Sequence, residues 1–313
     1  MSQTATARAA RLSTTSEGLW LTAALCGVAQ LPPVLKIRPI GSVQATIADH
    51  PGMSVLEEAG IYHHGAVDPD VASWVVAVAR PDVEIDIVIT GPEVRPDRLL
   101  GPPPMFTAPD DPIEAAQALA HWYAQGPPQR VVTLCRRDNE WVAAARLWHP
   151  GHDGSDEVVL TPLGAAEVIG VLVETLGRAD PAQFHGINSE SEPLSAVLRA
   201  WQADPDADLL TGLVKIGLSV PQARLVEAVA DQGTTRAVIS TAQFSISGPQ
   251  RAPMAVTVAD TIVGRVVVSN ALGPDGRQWT TLLPGSDHAV RRAVVELLET
   301  LPSGRDWSTH QRT

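Results

Sequence analysis

The stretch Val83-Glu-Ile-Asp-Ile-Val-Ile-Thr90 places Val83, Ile85, Ile87 and Ile89 at every second position, with Glu84 and Asp86 between them. Successive side chains of a strand point to opposite faces, so this is a strand with an apolar row on one side and the two acids on the other. Just upstream, Asp68-Pro69 is a strong helix start, and Val71, Trp74, Val75 and Val78 follow at the spacing of one buried helical stripe. Downstream, Gly91 to Pro128 is rich in proline and brackets a short helix opened by Asp111-Pro-Ile-Glu114. Two further strands, 130–137 and 140–148, are joined through Asp138-Asn139 as a tight hairpin. The strand EVVLTPL and an apolar helix to about Leu176 complete the unit.

The same order recurs. Helices are predicted over 191–202, 206–217 and 219–232, the last opened by the capping box Ser219-Val-Pro-Gln222. Strands are predicted over 235–247, 253–259, 263–271 and 277–283, and a closing helix carries Val290, Ala293, Val294, Leu297, Leu298 and Leu301 on one face. Earlier in the chain, Thr14 to Glu17 has capping-box spacing before a helix at 17–28, PPVLKIRPI reads as extended, and a helix over 44–59 stops at Gly60. LEEAGI at 56–61 answers LVKIGL at 213–218, and VETLG at 173–177 answers LETLP at 298–302. The expectation is an internal duplication with halves of about 14–178 and 179–307, after a disordered tail at 1–13. Two such units pair their strands into one mainly antiparallel sheet flanked by two helical bundles. Each unit alone would expose a sheet edge and an apolar helix face. The expected class is therefore α+β, one domain with quasi-two-fold symmetry.

Composition narrows the function. With 44% hydrophobic residues over 313, the chain can build a large core. Its net charge of −12 repels a phosphate backbone, so no nucleic-acid partner is expected. No apolar run approaches the roughly 18–20 residues of a membrane span, and no signal-peptide core follows the N-terminal arginines. Cys26 and Cys135, the two cysteines, are far apart in sequence and form no C-x-x-C, which reads as cytosolic.

Neither catalysis nor a cofactor is indicated. The chain has no G-x-S-x-G, no G-x-G-x-x-G and no phosphate-loop signature. Its histidine-rich stretches are 50–64, with His50, His63 and His64, and 148–157, with His149, His152, Asp153 and Asp156. The first reads as a helix entry and a loop, and the second as a solvated Pro/Gly hairpin loop rather than the rigid ligand frame that zinc requires. A metal-dependent hydrolase using His149, His152 and Asp153 is the enzyme alternative. Trp141 and Trp148 lie on opposite faces of their strand by parity, so one faces away from whatever the other packs on.

EGLWLTAALCGV (17–28), HPGMSVLEEAGI (50–61), EWVAAARLW (140–148) and LLETLPSGRDWSTHQR (297–312) together resemble the EspG family, cytosolic chaperones of mycobacterial type VII (ESX) secretion systems. The resemblance spans about 14–312. It implies a mixed sheet between two helical bundles and no catalysis. The implied partner is a PE-PPE heterodimer, bound through the hydrophobic tip of the PPE subunit. It implies a client surface on the central sheet and C-terminal bundle: Trp141, Arg146, Phe244 and Ile246 from the sheet, and Leu225 and Val229 by position on the capped helix. The segment 91–128 is longer than the resemblance leads one to expect.

Overall fold

In a computed structural model of the chain, the described residues are 11–37, 47, 50–91, 109–111, 113–115, 117–118, 129–148, 156–204 and 206–312. The alternating stretch becomes strand β4 (Val83–Thr90) at the middle of an 11-stranded antiparallel sheet. On one side, β4 pairs with β5 (Gln129–Arg137), followed outward by β6 (Glu140–Trp148), β7 (Glu157–Gly164) and the edge strand β1 (Leu12–Thr15). On the other, it pairs with β9 (Thr235–Ser245), followed outward by β11 (Val256–Thr261), β12 (Gly264–Leu272), β13 (Gln278–Pro284) and the edge strand β8 (Ile187–Glu190). Strand β10 (Gly248–Arg251) folds back on β9. A separate hairpin joins β2 (Tyr62–His63) to β3 (Ala66–Val67).

Each half runs in the same order: a short edge strand, helices, four long strands in sheet order, and a closing helix. In the first half these helices are α1 (Ser16–Leu25), α2 (Gly52–Glu58), α3 (Pro69–Ala79) and the closing α4 (Val168–Leu176). In the second they are α5 (Ser191–Ala203), α6 (Leu209–Lys215), α7 (Val220–Ala230) and the closing α8 (Asp287–Leu298). Local chemistry sets several boundaries. Asp68 accepts from the amides of Asp70 and Val71 at the start of α3, and Ser219 and Gln222 form the expected capping box on α7. Gly60 and Gly217 adopt φ of +68° and +99°, where a side chain is strained, and each follows the second helix of its half.

Several expectations shift. Leu12 and Ser13, placed in the tail, belong to β1, and Leu12 is buried; residues 1–10 lie outside the described residues. The cap of α1 is Thr15, one residue after the expected box. PPVLKIRPI contains a 3-10 turn at Pro33–Leu35, with Lys36 left-handed, rather than an extended run. Where a helix was expected over 44–59, α2 occupies Gly52–Glu58; residues 41–46, 48 and 49 are outside the description. The four-residue edges β1 and β8 and the hairpin β2–β3 were not foreseen, because such short strands carry no period to read. Strand β9 ends at Ser245, earlier than expected, where the chain turns back into β10. Asp111 does accept from the Ile113 and Glu114 amides.

Three apolar clusters hold the molecule together. On one face of the sheet, α4 and α8 cover the centre, packing Leu172, Val290, Val294 and Leu298 on Val83, Ile85, Ile87 and Ile239. On the opposite face, α1 and α3 cover β5 to β7 through Val131, Val142, Ala144 and Leu160. The bundle α5 to α7 covers β12 and β13 on that same face through Val266 and Leu282.

Candidate functional site

Between the two bundles, the middle of the opposite face is left with β4, β9 and β10. Register places Glu84, Asp86 and Val88 of β4 beside Ala242, Ser240 and Val238 of β9, with Arg251 of β10 beside Ala242. Val238 is 41% exposed and Val88 and Ser240 are half-buried, so a short apolar strip reaches solvent at the centre of the sheet.

At one end of the strip Glu84 and Asp86 are almost fully buried, at 2% and 5% exposure. Burial, followed by the Asp86 charge and a hydrogen bond shared with Asp86, pushes the Glu84 carboxyl up to about 8, against a weaker lowering effect of Arg251. Asp86 is raised as well, mainly by burial, with Thr133, Glu84 and Arg251 opposing. At neutral pH Glu84 therefore holds its proton and can donate it to Asp86. Arg251 lies over small neighbours and brings its Nη1 within 3.8 Å of Asp86 Oδ2 while its side chain stays 51% exposed. Glu84 Oε1 and Asp86 Oδ1 are buried with no hydrogen-bond partner among the described residues.

The predicted surface residues divide. Trp141 is inside, 6% exposed under α4 and α8, and so is core rather than contact surface. Arg146 is also a correction: it is 3% exposed, paired with Asp156 at 3.1 Å, and donates to the Leu35 and Lys36 carbonyls at 2.6 and 2.8 Å. It ties the 3-10 turn to the sheet. Leu225 is buried in the C-terminal bundle and Val229 packs against the same cluster, whereas Val214 and Val220 of that bundle are exposed. Phe244 is half-buried and fastened: its amide donates to the Asp82 carbonyl, its carbonyl contacts His310 Nε2 at 2.8 Å, and Arg312 lies 5.9 Å from its ring. Ile246, at 86% exposure on the tip of the β9–β10 hairpin, is free to meet a partner.

The histidines resolve as structure where they are described. His50 Nδ1 accepts from the Gly52 amide at the entry to α2, and its Nε2 lies 3.5 Å from Glu17. His63 and His64 are exposed neighbours in the β2–β3 hairpin. His149, His152 and Asp153 lie outside the described residues. Among the described residues no group of three His, Cys, Asp or Glu is placed to hold a metal, and no helix is long and apolar enough to cross a membrane.

Sequence reasoning passed over Glu84, Asp86, Val88, Val238 and Arg251. A signal was present: Val88 breaks the alternation by putting an apolar side chain on the acids' face, although only the fold shows that neither bundle covers it.

A family model described as the EspG family matches residues 15–101 and 112–296, most of the chain. The chain belongs to the EspG family. Among EspG relatives, it is 26% identical to the ESX-5 secretion-associated protein EspG5 of Mycobacterium tuberculosis over 95% of each chain. It is 27% identical to EspG5 of Mycobacterium marinum, again over 95% of each. To the ESX-2 secretion-associated protein EspG2 of M. tuberculosis it is 26% identical over 96% of this chain and 99% of that one. The solved structure of the M. tuberculosis type VII secretion system chaperone EspG5 in complex with PE25-PPE41 dimer matches with a TM-score of 0.72 at 20% identity. That match covers 96% of this chain and all of the other, and establishes a shared fold.

Proposed function

We propose that this EspG-family chain is a cytoplasmic chaperone of a PE-PPE pair in type VII secretion, acting by binding rather than catalysis. The observation that carries the reading is the strip of Val88 and Val238 on the central strands, left open between two bundles in a chain whose fold is shared with an EspG5 solved in complex with a PE-PPE dimer. A soluble protein that keeps apolar side chains exposed at the middle of its sheet has a surface suited to a partner's apolar tip. Ile246 on the hairpin and Val214 and Val220 on the C-terminal bundle are further large apolar side chains left exposed.

The test is co-expression with the PE-PPE pairs of the source genome followed by size-exclusion chromatography. The expected result is a 1:1:1 complex with one pair, lost in Val238→Asp while the free protein keeps its melting temperature. Absence of a complex with every pair, or an undiminished complex in Val238→Asp, would overturn the reading. For the origin of the scaffold, we further propose duplication of one unit. In support, LEEAGI and LVKIGL both end the second helix of their half, while VETLG carries the last turn of one closing helix and LETLP starts on the last residue of the other.

A further inference from the structure

We propose that Arg251 is the polar recognition point of this surface, donating hydrogen bonds to a main-chain carbonyl of the client where its apolar tip meets Val88 and Val238; this rests on the chaperone reading above. Three features lead there. Arg251 is a half-exposed cation among the central strands of this face, reaching across Ala242 from β10 toward β4, whereas Arg236 on β9 is turned to the Val229 and Asp231 carbonyls. One nitrogen faces Asp86, and among the described residues the rest of its fork has no recorded partner, while half the side chain is open. An arginine carries five donors in a fixed plane, so one edge held by a buried carboxylate leaves the others aimed outward. Glu84 and Asp86 are then positioning residues: the first hydrogen-bonds the second, and the second holds the guanidinium at the end of the strip.

Charge decides which acceptor fits. Asp86 offsets Arg251, and the chain as a whole carries a net −12, so the site offers little net attraction to a client carboxylate. A neutral carbonyl needs only the donor. An apolar segment docking on the strip brings main-chain carbonyls with it, and those it buries must find partners.

The experiment measures affinity for the captured PE-PPE pair by titration calorimetry with wild type, Arg251→Met, Arg251→Lys and the double variant Asp86→Asn/Arg251→Met, each checked by thermal melt. Arg251→Met should weaken binding about tenfold. The double variant, which leaves no unpaired charge, should be equally weak, and Arg251→Lys should recover only part of the loss. Wild-type affinity should change less than about threefold between roughly 50 and 500 mM salt. Wild-type-like binding by the double variant would reduce Arg251 to a neutraliser of Asp86 and overturn the inference. Steep weakening with salt would assign a carboxylate instead and overturn it too. If wild type captures no pair, the chaperone reading falls and takes this inference with it. If wild type captures a pair and Arg251→Met binds equally, this inference alone falls.

Discussion

The two faces of strand β4 are built from the same eight residues and end in opposite conditions. Val83, Ile85, Ile87 and Ile89 point under α4 and α8 and are buried in the apolar cluster that those helices close. Glu84, Asp86 and Val88 point between the two bundles, where two carboxyls are buried without complete hydrogen bonding and a valine pair reaches solvent. The closing helices of both halves converge on the first face and so finish it, whereas the opening helices of each half diverge on the second. A repeated architecture leaves its seam uncovered, and an uncovered seam with frustrated polar groups is where a partner adds most.

That contrast can be broken at its supports. Arg146→Met removes the cation of a buried pair whose side chains are 1% and 5% exposed, leaving Asp156 charged and the Leu35 and Lys36 carbonyls short of a donor. The expected loss is about 3–5 kcal/mol in urea unfolding. On the packed face, Leu298→Ala opens a cavity at a fully buried position and should cost about 2–5 kcal/mol. Val88→Ala, its counterpart on the open face, should cost about 1 kcal/mol or less yet weaken client capture. Equal costs at the two sites would mean that the open face is covered in the free protein.

The acid pair supplies a pH test of the same contrast. Glu84 is raised to about 8 in the folded protein, so between the ordinary carboxylate range and pH 8 the unfolded chain releases a proton that the folded one keeps. Stability contributed by the neutral carboxyl is therefore complete in acid and lost as pH rises through 8, with a slope approaching about 1.4 kcal/mol per pH unit. Asp86 shifts in the same direction and adds to the trend. Unfolding of wild type and Glu84→Gln between pH 5 and 9 should show the slope in the first and a flatter line in the second. An unchanged slope in the variant would place the titrating group elsewhere.

Much of this fold is legible from periodicity, and the site is not, for one physical reason. Alternation in β4 and the stripe at Val290, Ala293, Val294, Leu297 and Leu298 report which side chains must leave water, and all of them do. Periodicity does not report what covers them. Trp141 looked like a docking residue because an aromatic on a short strand can face either way, and the packing of α4 and α8 decided it. Arg146 was placed on the client surface by the resemblance alone, and only the long-range approach of Asp156, Leu35 and Lys36 shows it buried. Arg251 lies in a four-residue strand whose pairing with β9 had no sequence signal, so its approach to Asp86 was invisible until the sheet was assembled.

Caps should be indifferent to this asymmetry, which makes them the finest probe of it. Asp68 accepts from two amides at the start of α3, which flanks the open face, and Ser286 accepts from the Ala289 amide at the start of α8 on the packed face. Each bond satisfies a local orphan donor, so Asp68→Ala and Ser286→Ala should each cost about 1 kcal/mol by urea unfolding. Should Asp68→Ala cost far less, α3 would be fraying independently of the sheet. The bundle beside the client strip would then be a separate, softer unit, and the difference between the faces would extend from their chemistry to their cooperativity.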